Sequence, residues 1–212
     1  MVQPMPTQPP STSPATEAGR RERKRQQTLD HLADTAWTLF REHGFDAVTM
    51  EAIAARADVA KGTLYKHFPV KEALLRHRFH RDLAAGLPAL LRELALLPTA
   101  AARLHAFFRH NADWSIGHRE FLAHYVRFRL GEVGVADEAS HSGLERLFAE
   151  LIAAGQQHGE FRRGHEPAML ARHLQYLHLG ALLRWLHTPA LDLRAEFAGM
   201  LDLFLHGVEA PR

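Results

Sequence analysis

Thr49-Met50-Glu51-Ala52-Ile53-Ala54-Ala55-Arg56-Ala57-Asp58-Val59-Ala60-Lys61-Gly62-Thr63-Leu64-Tyr65-Lys66-His67-Phe68 is the stretch that decides the fold. Thr49 is placed to cap a short helix that runs through Ala57, with Glu51 near its positive end. A second short helix follows from about Ala60 to His67, and Asp58-Val59-Ala60 breaks the two. Two helices joined by a tight turn form a helix-turn-helix, whose second helix is built to enter a DNA major groove. On that second helix Leu64 and Phe68 lie about 40° apart and face a core. Gly62 and Lys66 point nearly opposite Leu64, with Thr63 and Tyr65 on the flanks. A glycine on an outward helical face costs roughly 1 kcal/mol relative to Ala, yet it lets a backbone come close to a groove wall. Lys61, Lys66, His67 and Lys71 surround it as candidate phosphate partners.

Working outward, Leu29, Ala33, Ala36 and Phe40 recur at helical spacing between Thr28 and His43. Gly44 then ends that helix, with Phe45 placed to close the cap. A longer helix is expected from Lys71 to about Gly86. Beyond it, Pro88, Pro98, Pro167 and Pro189 punctuate amphipathic segments near 100–116, 118–130, 140–158, 167–187 and 191–206. No segment alternates with period two for long, and β-branched residues are scarce. The predicted fold is all-α. Residues 1–19 hold five of the eleven prolines with Ser, Thr and Gln, and read as a disordered tail.

Charge agrees with the motif. The net charge is +2, but from Arg20 to Arg81 there are 13 Lys and Arg against 8 Asp and Glu. From Asp82 onward the balance is 13 against 15. All four lysines lie in the first third, so the N-terminal block is the part suited to a polyanion. The pI of 9.2 reflects few groups that titrate near pH 10, since 22 of the 26 basic residues are Arg. The run Arg20-Arg21-Glu22-Arg23-Lys24-Arg25 is either an arm reaching a phosphate or minor groove, or a solubilising helix start.

The motif Thr49-Met50-Glu51-Ala52-Ile53-Ala54, followed by Val59 to Phe68 and by Lys71-Glu72-Ala73-Leu74-Leu75, closely resembles the tetracycline-repressor (TetR) family of bacterial transcriptional regulators over about residues 25–75. The resemblance implies an N-terminal three-helix DNA-binding domain, residues 20–70. It also implies a C-terminal helical domain, residues 71–212, that dimerises and binds a small effector. It puts Thr49, Lys61, Gly62, Thr63, Tyr65, His67 and Lys71 at the DNA surface. Asp58 stands where the turn often has Gly, which Asp tolerates better than most residues. Ala60 and Val70 stand where Ser is common, so two helix caps are weaker. The expected function is a DNA-binding regulator, a repressor released from its operator by a small molecule. The alternative is a helical ligand-binding or interaction protein without DNA readout. Loss of DNA binding should also erode Gly62, Tyr65 and Lys71, and all three stand.

Other chemistries find little support. Cysteine is absent, which removes disulfides, thiolate nucleophiles and Cys-based metal sites. Among sixteen histidines, His77 and His80 alone have the spacing of paired helical ligands, while His105/His110 and His173/His178 diverge around the helix. No nucleophile elbow, zinc-protease motif or phosphate-cradling glycine loop occurs, so neither an enzyme nor a cofactor or metal is expected. The run from His173 to Leu183 is too short for a membrane span, which needs roughly 18 residues. No secretory signal is legible, and a cytoplasmic protein without membrane contact is expected.

Two features of the C-terminal segments bear on its function. Phe107, Asn111 and Trp114 on one segment, and Phe121, Tyr125 and Phe128 on the next, lie at helical spacing. They are either plain core or the lining of an effector cavity, with Asn111, Tyr125 and His178 as its polar groups. Stripes of Leu170, Leu174, Leu177 and Ala181, and of Leu193, Phe197, Met200 and Phe204, are expected to build a homodimer interface. The helix starting at Lys71 is the expected coupler between cavity and DNA.

Overall fold

The computed structural model describes residues 14–131 and 143–208, and all regular structure among them is helical. The elements are α1 (Pro14–His43), α2 (Met50–Arg56), α3 (Lys61–His67), α4 (Lys71–Ala95) and α5 (Ala100–Gly117). They continue with α6 (Arg119–Gly131), α7 (Leu144–Gln157), α8 (Pro167–His187) and α9 (Leu193–Val208). Two compact units divide the chain between His77 and Arg78, inside α4 and seven residues past the expected boundary.

In the first unit α1 packs on α2 and α2 on α3. The predicted face of α1, Leu29, Ala33, Ala36 and Phe40, is buried together with Leu32, Ile53, Ala54, Leu64 and Phe68. Gly44 ends α1 with a left-handed φ of 81°, its amide donating to the Phe40 carbonyl at 2.9 Å. The Phe40 and Phe45 rings close the cap at 4.7 Å between centroids. The helix begins earlier than its apolar periodicity suggests. Residues 1–13 of the expected tail lie outside the described residues, whereas 14–19 are the first turns of α1. The basic run is therefore helical. Arg25 pairs with Glu22 at 3.0 Å, and Gln26 donates to Asp30 at 3.1 Å, contacts that support an exposed helix three and four residues apart.

In the second unit α8 packs on α6, α7 and α9, and α5 packs on α7 and α9. Its centre is aromatic. Phe107, Phe108, Phe148 and Phe197 are almost wholly buried, with the ring centroids of Phe107 and Phe148 5.1 Å apart. Gly155 lets two elements come close. A Cβ placed there would sit 2.4 Å from the Phe161 ring and 3.0 Å from Ala100 Cβ. Two expectations change here. Pro88 does not end α4, which continues to Ala95. Proline removes one amide donor from a helix and crowds the carbonyl four residues earlier. That carbonyl belongs to Ala84, which is exposed with Ala85 and Gly86, so water can take it. The α8 and α9 stripes are also mostly internal. Leu170, Leu174, Ala181, Leu193, Phe197 and Phe204 are buried within the unit. The outward apolar residues are Met169, Tyr176, Leu177 and Leu203, because both helices are apolar on more than one face.

Candidate DNA-reading helix and effector cavity

Thr49 caps α2, its hydroxyl accepting the Ala52 amide at 3.1 Å. Asp58 takes the left-handed turn with φ 54°, and the Val59 amide returns to the Ala54 carbonyl at 3.0 Å. The residue that bends the chain into α3 is thus the one that stands in for glycine. At the start of α3, Ala60 offers no side-chain cap. The helix then buries Leu64 and exposes Lys61, Gly62, Thr63, Tyr65 and Lys66, while His67 is half-buried. A Cβ on Gly62 would meet nothing within 4 Å. Nothing in the packing of the described residues requires glycine there.

Glu51 ties the two helices together across this face. Its carboxylate accepts from the Tyr65 hydroxyl at 3.3 Å and lies 3.8 Å from Lys61 Nζ. The Tyr65 phenol is pushed above its usual value by desolvation, then by the charge and hydrogen bond of Glu51. Sequence reasoning placed Glu51 only at a helix start and missed this role, since the partner lies fourteen residues away. Lys71 also differs from expectation. Its ammonium donates to the carbonyls of Phe45 at 2.7 Å, Asp46 at 3.3 Å and Val48 at 3.3 Å, and sits 4.5 Å over the Phe45 ring. An ammonium has three N–H donors, and this loop takes all of them. Lys71 holds the approach to α2 in place, a role that leaves no donor for a phosphate in this arrangement. His77 Nε2 lies 2.7 Å from Asp30 Oδ1, and His31 Nε2 lies 3.2 Å from the Ala57 carbonyl.

The second unit contains a cavity of about 260 Å³ between α4, α5, α6 and α8, with α7 closing it at Leu144. Phe79, Phe107, Trp114, Leu122, Leu179 and Leu182 supply much of its apolar wall. Of the residues expected at an effector cavity, Phe107, Asn111, Trp114, Tyr125 and His178 stand in its lining. Phe121 does not. It is buried outside the wall, and Leu122, about 100° further round α6, takes the place. The wall also includes Ser115 and Gln175, and α4 on both sides of Pro88, from Phe79 to Glu93. The α4 residues beyond Pro88, namely Ala89, Leu90 and Glu93, are hidden from a sequence reading in which the proline ends the helix.

Polar groups in the cavity fall into two sets. At one side His80 Nε2 lies 3.1 Å from the Tyr125 hydroxyl, and His110 Nε2 lies 2.9 Å from an exposed Glu93 carboxylate. Deeper in, His178 Nε2 is 2.8 Å from Asn111 Oδ1. His178 is only 3% exposed and packs edge-on against Phe108 and Phe197 at 5.5 and 5.2 Å. Burial lowers its pKa from 6.5 to about 4, so the ring is neutral at pH 7. His77 and His80 have separate partners, and no group of three or more His, Cys, Asp or Glu able to hold a metal occurs among the described residues. No helix of the described residues is long and apolar enough to cross a membrane.

The family model for bacterial regulatory proteins of the tetR family matches residues 32–77. The chain is 27% identical over 203 residues to the HTH-type transcriptional repressor KstR of Mycolicibacterium smegmatis, covering 93% of each chain. It is 26% identical over 170 residues to the HTH-type transcriptional repressor DhaR of a Mycobacterium species, covering 76% of this chain and 83% of that one. Among solved structures it resembles the TetR family repressor FadR of Thermus thermophilus in complex with lauroyl-CoA. That likeness has a TM-score of 0.73 and 26% identity, over 87% of this chain and 96% of the other. Together with the exposed face of α3, these likenesses show a helix-turn-helix of the tetR type over residues 32–77, in a chain similar over most of its length to TetR-type transcriptional repressors.

Proposed function

We propose that α3 lies in the major groove of an operator. Lys61, Gly62, Thr63, Tyr65 and Lys66 would face the DNA, Thr49 and His67 would stand at the edge of the contact, and Lys71 would hold the loop that positions α2. The observation that carries this reading is Gly62, a glycine inside a helix with open space before it. Its placement suits a partner that comes close to the backbone. Lys61 and Tyr65 exchange their contacts with Glu51 for phosphate or base contacts on docking.

One seven-residue helix reads too few base pairs for specificity, so the active form is a homodimer on a two-fold operator. The groove between α8 and α9, with Tyr176, Leu177 and Leu203 exposed beside Gly180 and Gly199, is the surface that meets the second copy. The protein works in the cytoplasm as a repressor, and a small molecule in the second-unit cavity releases it from DNA. Support for an effector comes from the cavity itself and from the lauroyl-CoA complex of FadR. Because α4 begins in the first unit and supplies Phe79, His80 and Leu83 to the cavity wall, it carries the coupling. Such coupling is typically about 1–3 kcal/mol. Selection of bound duplexes from a random pool tests the reading. It should enrich a pseudo-palindrome bound by a dimer. Recovery of no preferred sequence would refute it.

A further inference from the structure

His178 and Gln175 stand three residues apart on α8, so both face the cavity they line. The contact between His178 Nε2 and Asn111 Oδ1 fixes the ring's tautomer. An amide oxygen only accepts, so Nε2 carries the proton and Nδ1 of the neutral ring is left with a lone pair. Nδ1 has no hydrogen-bond partner among the described residues, and the same holds for Gln175 Oε1. Both side chains are more than nine-tenths buried, at 3% and 8% exposure. Leaving a buried acceptor without a donor is costly, and most buried polar atoms in folded proteins are paired. Here two such acceptors share one helix face, in a cavity whose wall is otherwise largely apolar.

The remaining polar groups narrow the ligand further. Asp82 is held by Arg78 at 2.9 Å, and Glu93 is engaged with His110 toward solvent. Among the described residues no other carboxylate lines the cavity to receive a cation, and an unpaired charge in apolar surroundings is strongly disfavoured. Placed at these two positions, a carboxylate or phosphate would bring acceptors against acceptors. Size is the last constraint: a 150 Å³ apolar cavity holds benzene, and by proportion 260 Å³ holds roughly ten non-hydrogen atoms.

We propose that the effector is a neutral, mainly apolar phenol or alcohol of about this size, its hydroxyl donating to His178 Nδ1 or Gln175 Oε1. This rests on the reading of the cavity as the effector site. It predicts discrimination by a single proton. A methyl ether of the same skeleton fills the same space yet leaves both acceptors unpaired.

Calorimetric titration of the full chain with propylbenzene, 4-propylphenol, 1-methoxy-4-propylbenzene, 4-propylbenzoate and lauroyl-CoA tests this. The phenol should bind about tenfold or more tightly than the ether, with the benzoate weakest of the aromatic probes. Gln175→Leu and His178→Leu should each shrink the phenol-to-ether ratio, and the double variant should bring it below about threefold. Gln175→Leu removes an acceptor that has no donor, so it keeps or raises the unfolding temperature and remains a usable variant. If propylbenzene or the ether binds as well as the phenol, the hydroxyl claim fails while the cavity remains a ligand site. Tighter binding of lauroyl-CoA or the benzoate overturns the proposal in the same way. Should no probe bind, the effector reading of the cavity falls with it.

Discussion

On α3 the polar side chains point to solvent and a single leucine is buried, whereas the second-unit cavity turns polar groups inward among aromatic rings. The first arrangement suits a hydrated polyanion. Its energy comes from many exposed charges, and it needs no interior vacant of side chains. The second suits a small apolar molecule, for which a few buried hydrogen-bonding groups decide selectivity. Glycine shows the same contrast. Gly62 has open space where a Cβ would go, while Gly155 is pressed by Phe161 and Ala100. One is glycine for something outside the chain, the other for the chain's own packing.

The largest expected effect falls on the buried side of this comparison. His178 has a pKa near 4 in the folded chain, against 6.5 as its ordinary value. Between those values the unfolded ring binds a proton that the folded ring refuses, so stability rises with pH through this window. Below pH 6.5 the penalty grows, reaching on the order of 3 kcal/mol near pH 4. Urea denaturation of wild type and His178→Leu at a series of pH values checks it: the variant should lose that part of the slope. Identical slopes would remove the buried neutral ring from the account.

Gly62→Leu addresses the exposed side. It should weaken operator binding at least about 100-fold, or about 2.7 kcal/mol, by blocking close approach of the helix. Folding stability should stay level or rise by up to about 1 kcal/mol, since any side chain restricts the unfolded chain more than glycine does. Fluorescence anisotropy and thermal melting measure the two effects separately. A Gly62→Leu variant that binds DNA normally would place the contact elsewhere.

Gly155→Ala should do the reverse. Its Cβ has to displace a buried ring, at a cost of about 1–3 kcal/mol that improved helix propensity offsets in part. At temperatures where the variant remains folded, operator affinity should be unchanged. Tyr65→Phe is the smallest case. It removes one exposed hydrogen bond to Glu51 and should alter stability by less than about 0.5 kcal/mol. Any loss of operator affinity then reports a contact of the hydroxyl with DNA.

Legibility in the sequence follows the same division. The α3 wheel placed Leu64 and Phe68 inside and Gly62 and Lys66 outside, because a short amphipathic helix is governed by local period. The positive φ of Asp58 and Gly44 could be read from turn chemistry alone. Lys71 could not. Its partners are three carbonyls more than twenty residues earlier, and no spacing rule distinguishes a lysine that binds carbonyls from one that awaits a phosphate. The cavity was most legible where its residues form one stripe on a helix, as Phe107, Asn111 and Trp114 do on α5. Gln175 and the second half of α4 were missed because tertiary packing overrode the usual meaning of Pro88 and of a polar residue in an apolar run.

The central claim, that the basic face of α3 engages DNA phosphates, is tested most directly by the salt dependence of operator binding. Each lysine that neutralises a phosphate contributes roughly 0.9 to the slope of log K against log salt. On a selected operator, the double variant Lys61→Ala/Lys66→Ala should bind more weakly, with a slope shallower by about 1.8 per reading head. Unchanged affinity and slope would contradict the docking of α3.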